Sequence, residues 1–141
     1  MKANIVLVSL LVLITLGSCN KDKILENIPE TLSENVIKGS WKITYYWDSD
    51  KDETSHFSGY NFTFEAGGVL KATNGTNDYL GTWSTGTDDS HTELVISFLS
   101  PLDFEELSDD WEVIEFSKVL IKLQDVSGGD GSIDYLTFTK I

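Results

Sequence analysis

The sequence contains no arginine, a single cysteine at position 19, and prolines only at positions 29 and 101. Each scarcity excludes something. Without arginine's planar fork, and with 23 acidic residues against ten lysines, the chain is ill suited to grip nucleic-acid phosphates or to dock electrostatically on anionic lipid. One cysteine cannot close an internal disulfide, so the fold has to rest on packing alone. Also missing are a His-Glu-x-x-His pair, a Cys-x-x-Cys pair and a glycine-rich phosphate loop opening a helix. His56 and His91 stand in polar surroundings with no nucleophile motif beside them, so no Ser-His or Cys-His chemistry is readable. The expectation is a protein that is not an enzyme, has no cofactor and has no nucleic-acid partner.

The longest apolar run, Ile5 to Leu16, follows Lys2 and is too short for the ~20 residues that span a bilayer. It suits the central part of an export signal. The run ends in Leu16-Gly17-Ser18-Cys19, which resembles the lipobox of bacterial lipoproteins. That resemblance implies removal of residues 1–18, acylation of Cys19 as the first mature residue, and membrane attachment through its acyl chains. Asn20, the second mature position, implies the outer membrane of the cell envelope rather than inner-membrane retention, with the facing side left open. Residues 19–35 then comprise the lipidated cysteine and its tether. Residues 36–141 suit one domain, and all 23 acids but only nine lysines lie beyond Cys19.

Thr31-Leu32-Ser33-Glu34 has capping-box spacing and Gly39 the place of a C-terminal glycine, which predicts a short helix from Leu32 to Lys38. Beyond it the apolar period is two, interrupted by turn residues, as in an antiparallel barrel or sandwich. Eight strands are predicted: Trp41 to Trp47, His56 to Glu65, Val69 to Thr73, Tyr79 to Thr85, Glu93 to Leu99, Trp111 to Ser117, Val119 to Asp125, and Ile133 to Ile141. Strict alternation puts Trp41, Ile43, Tyr45 and Trp47 on one face of the first strand and Lys42, Thr44 and Tyr46 on the other. Asn74-Gly75 marks a hairpin, and a tight turn or bulge is required near Ser117-Lys118. Ser100-Pro101 predicts a one- or two-turn helix between the fifth and sixth strands. Short sequential connections favour an all-β, antiparallel up-and-down barrel, whose closure removes exposed edges.

Gly39-Ser40-Trp41 after a short helix, Gly81-Thr82-Trp83-Ser84, Leu94-Val95-Ile96 and the closing Leu136-Thr137-Phe138-Thr139-Lys140 together resemble the lipocalin-like domains of bacterial lipoproteins. The likeness covers roughly residues 36 to 141. Lipocalins place an arginine over the first-strand tryptophan; here Lys140 is the candidate to stack on Trp41. The family implies a barrel that holds a small apolar ligand, with Trp41, Tyr45, Trp47, Tyr60, Phe62 and Trp83 lining the pocket. An eight-stranded barrel is, however, only wide enough to be filled by side chains or to hold one small ligand. The alternative is therefore a filled barrel that serves as a surface interaction or structural module for a protein or glycan partner.

Acidic clusters supply the remaining candidates. Asp48, Asp50 and Asp52 alternate after the first strand, and calcium takes oxygen ligands from such loops. Glu53 and Gly59 break the EF-hand pattern, so any calcium site there is expected to be weak. Glu112 and Glu115 have the side chains for glycosidase-type acid–base work, but in so acidic a chain a chance pair is expected.

Overall fold

The computed structural model describes residues 31–126 and 131–141. Helix α1 (Leu32–Val36) opens them. Its capping box forms as the spacing predicts: the Glu34 backbone N–H donates to Thr31 Oγ1, and the Thr31 N–H donates to Glu34 Oε2 at 3.0 Å. These two bonds satisfy donors that a helix start otherwise leaves open. Gly39, at φ +95°, then turns the chain into the first strand through a backbone shape that disfavours a Cβ.

Nine strands follow: β1 (Trp41–Asp48), β2 (Lys51–Asp52), β3 (Asn61–Phe64), β4 (Val69–Thr73), β5 (Asp78–Asp88), β6 (His91–Phe98), β7 (Asp109–Phe116), β8 (Leu120–Val126) and β9 (Ile133–Lys140). Neighbours from β3 to β9 pair in sequence order, all antiparallel, and β9 returns to pair with β1. The result is a closed eight-stranded barrel, with the two-residue β2 added as a ribbon on the end of β1. Between β4 and β5 the Asn74 side chain accepts from the N–H groups of Thr76 and Asn77, and Gly75 takes φ +86°. The hairpin signal at Asn74-Gly75 is thereby realised.

Two expectations are corrected. The predicted second strand from His56 is replaced at its start by a 3-10 turn, Thr54–Phe57, so β3 begins only at Asn61. The turn buries Phe57 inside the barrel, where an extended segment would alternate past it. The first strand also departs from strict alternation, because Thr44 is an extra residue opposite β9: Ile43 pairs with Phe138, but Tyr45 pairs with the very next residue, Thr137. A bulge of this kind moves every later side chain to the other face. Tyr46 therefore points inward at 2% exposure while Tyr45 is 39% exposed.

The core is continuous and apolar. Trp41, Phe62, Phe64, Leu70, Leu94, Ile96, Trp111, Ile121, Leu123, Leu136 and Phe138 come from seven strands and are all buried. Helix α1 closes one end. Asn35 donates to the Ser117 carbonyl, and the Trp41 indole N–H donates to the Val36 carbonyl at 2.8 Å. Lys140 Nζ lies 4.8 Å from the Trp41 ring centroid, the cation–π contact expected in place of the lipocalin arginine.

Candidate functional site

Helix α2 (Leu102–Glu105) closes the other end, and it decides what the barrel can hold. Phe104 projects from it into a nest of rings, with centroids 5.4 Å from Phe57, 5.0 Å from Tyr60, 6.1 Å from Phe62, 4.8 Å from Tyr79 and 5.3 Å from Phe98. Such edge and offset contacts each add ~0.5–1.5 kcal/mol beyond area burial. The strap carrying the helix is tied down by polar bonds. Tyr46 Oη donates to the Glu106 carbonyl at 2.9 Å, Trp111 Nε1 donates to the Leu107 carbonyl at 2.9 Å, and Ser108 Oγ bridges the N–H and carbonyl of Phe98. Phe104 was not singled out from sequence, since it sits in an acidic run; its one signal is Leu107 three residues on, giving a short apolar stripe in an otherwise polar loop.

The six residues expected to line a pocket do not share one environment. Trp41 and Phe62 are fully buried core members. Tyr60 is partly buried against the core at the α2 end, stacked on Tyr79 at 5.8 Å. Trp83 packs edge-on against Phe64 at 5.6 Å and donates its indole N–H to the Glu65 carbonyl. Tyr45 and Trp47 lie on the outer wall instead, Trp47 directly across from Tyr135 of β9, because the Thr44 bulge reverses their side. Three surface concavities surround this core: one of about 570 Å³ beside Ile43, Asp52, Thr54 and Ser58, one of about 460 Å³ between α1 and Thr85–Thr92, and one of about 330 Å³ over Val69, Leu80, Gly81 and Leu99 on the β4–β6 wall.

Of the three aspartates proposed for calcium, Asp50 lies in the turn between β1 and β2, and the ribbon separates the other two. Asp52 is opposite Trp47, while Asp48 is opposite Lys51 one step along, so the two carboxylates leave opposite faces. Asp52 accepts from the Thr54 N–H and Asp48 from the Ser49 hydroxyl. Carboxylates do gather elsewhere among the described residues: Glu53, His56 and Glu106 form one group, and Asp109, Asp110 and Asp125 another, each with ligand atoms within 4.8 Å. Burial pushes the Asp109 carboxyl up to about 6, helped by Asp110 and Asp125. Glu112 bonds to His91 and Gln124, and Glu115 to Lys122 at 3.0 Å, so the pair considered for acid–base work is engaged sideways along the sheet. Cys19 lies outside the described residues.

No protein-family model and no curated protein matches this chain. Among solved structures the chain is similar to a DUF4847 family protein from Bacteroides vulgatus, at 15% identity and a TM-score of 0.53, over 77% of this chain and 96% of that one. At this identity the likeness speaks for the barrel fold alone.

Proposed function

We propose that the protein is a non-enzymatic, lipid-anchored interaction module of the bacterial cell envelope. In this reading the barrel is a rigid stand that presents its outer wall to a macromolecular partner, and Cys19 carries the acyl chains that hold it at the outer membrane. The observation that carries it is the Phe104 plug: the space in which a lipocalin holds its ligand is taken by five rings packed on a sixth. Interiors are packed to crystal-like density, so an apolar guest has to displace side chains that already bury their surface. Calcium, in this reading, is at most a weak visitor at Asp48, Asp50 and Asp52.

Titrating the mature chain with fatty acids, sterols and haem-like molecules tests the filled interior through the tryptophans. No saturable quenching is expected, and stoichiometric quenching that disappears on enlarging residue 104 to Trp would overturn the reading. The anchor is tested separately by detergent-phase partitioning. Cys19→Ala is expected to move the protein to the aqueous phase.

A further inference from the structure

We infer that the outer wall made by β8, β9 and β1 docks a basic protein segment that carries apolar anchors; this rests on the interaction-module reading above. The strand register places the residues. Gln124, Tyr135, Trp47 and Asp52 form one row across four strands; Tyr45 beside Thr137 and Val126 beside Ile133 flank it on the same face. Outward positions of a soluble barrel are normally polar; on β7 Asp110 and Glu112 follow that rule, and Ile114, 51% exposed at the β7 bulge, departs from it. On this wall Tyr45, Trp47, Tyr135, Val126 and Ile133 share the outer face with Gln124, Lys122 and Thr137. Val126 is 57% and Ile133 36% exposed. A contiguous apolar and aromatic patch on an otherwise charged chain marks an interaction site. Its Trp and Tyr content, ringed by polar residues, is that of a protein interface centre.

Charge selects the occupant. Asp52 ends the row on one side, and Glu112 stands beyond Gln124 on the other, bonded to it at 2.9 Å. Lys122, beside Thr137 on the same face, is paired with Glu115 at 3.0 Å, and Lys51, next to Asp52, pairs across the ribbon with Asp48 one step along. The whole chain carries a net charge of −13. A second copy would bring two such acidic rims together, which is repulsive. A glycan would meet Val126 and Ile133 where its hydroxyls need hydrogen-bonding groups. A segment with leucine-sized side chains between lysines or arginines satisfies both the centre and the rim.

The test uses the full-length chain in phosphatidylcholine nanodiscs, with a synthetic peptide of alternating leucine and lysine as probe and its leucine–glutamate counterpart as control. The lysine peptide is expected to bind saturably, and the Trp47→Ser/Tyr135→Ser variant to weaken it by about tenfold or more. Leu80→Ser, on the β4–β6 wall, is expected to leave binding unchanged, and rising salt to weaken it. Far-UV circular dichroism checks that the variants keep the barrel. Equal binding of the glutamate peptide, equal loss in Leu80→Ser, or no effect of the double variant overturns the assignment. So do oligosaccharide binding or dimerisation lost in the double variant, although either leaves the interaction-module reading standing. That reading fails on a different readout, interior uptake of an apolar molecule by the unaltered chain.

Discussion

Trp41 and Ile43 precede the extra residue of β1, Tyr45 to Trp47 follow it, and the two halves send their odd-numbered side chains to opposite sides of one wall. Before Thr44, odd-numbered residues build the core. After it, Tyr46 takes the inward position and reaches the α2 strap, while Tyr45 and Trp47 join Tyr135 outside. One inserted residue thus divides an aromatic strand between holding the barrel shut and furnishing its exterior. With Thr44 paired in regular register, Tyr45 and Trp47 would turn toward an interior that is already packed, and Tyr46 away from it.

The largest effect is expected from paired truncations in the two halves. Trp41→Ala removes a fully buried ring, its bond to the Val36 carbonyl and the seat of Lys140, and is expected to cost ~3–5 kcal/mol in denaturant unfolding. Trp47→Ala, on the outer wall, is expected to cost below ~1 kcal/mol. Equal costs would place both rings in one environment and contradict the reversal.

Why the sequence revealed one half of β1 and not the other follows from what periodicity reports. Alternation needs only a regular strand, so Trp41, Phe62, Leu94, Ile96, Leu136 and Phe138 were all legible as inward residues, as were the Asn74-Gly75 hairpin and the capping box of α1. A bulge has no residue signature of its own; Thr44 is an ordinary strand former, and its doubling is visible only in the register with Phe138 and Thr137. Phe57 and Phe104 were hidden for a related reason. Each sits alone in a polar stretch, and only the tertiary meeting of a 3-10 turn with a strap helix brings them together. The closed eight-stranded antiparallel barrel was therefore readable, but the occupancy of its interior was not.

Among the inward residues of that divided strand, Tyr46→Phe isolates one hydrogen bond. The substitution keeps the ring against Phe57 and Trp111 and removes the donor to the Glu106 carbonyl, the tie between β1 and the strap. A loss of ~1 kcal/mol is expected from chemical unfolding. No loss would mean that the strap is held by Phe104 and Trp111 without help from β1.

The smallest effect contrasts Asp109 with the outer wall, and its sign follows from proton linkage. Burial, with Asp110 and Asp125 nearby, raises the folded Asp109 carboxyl to about 6 from an ordinary 3.8. The folded state therefore holds this proton more tightly than the unfolded chain does, and ionising Asp109 costs stability as pH climbs from about 4 through about 6. Asp52 and Asp78 behave oppositely. Thr54 holds the first low, and Thr73 and Lys71 the second, so their stabilisation is present at neutral pH and fades in acid. Comparing Asp109→Asn with the unaltered chain cancels those shared contributions, and the amide oxygen still accepts from the Asp110 N–H. The variant is expected to melt higher at about pH 8 and to match the unaltered chain at about pH 4, with the gap opening through the window between. A gap independent of pH would assign the gain to packing and place the Asp109 carboxylate in contact with water.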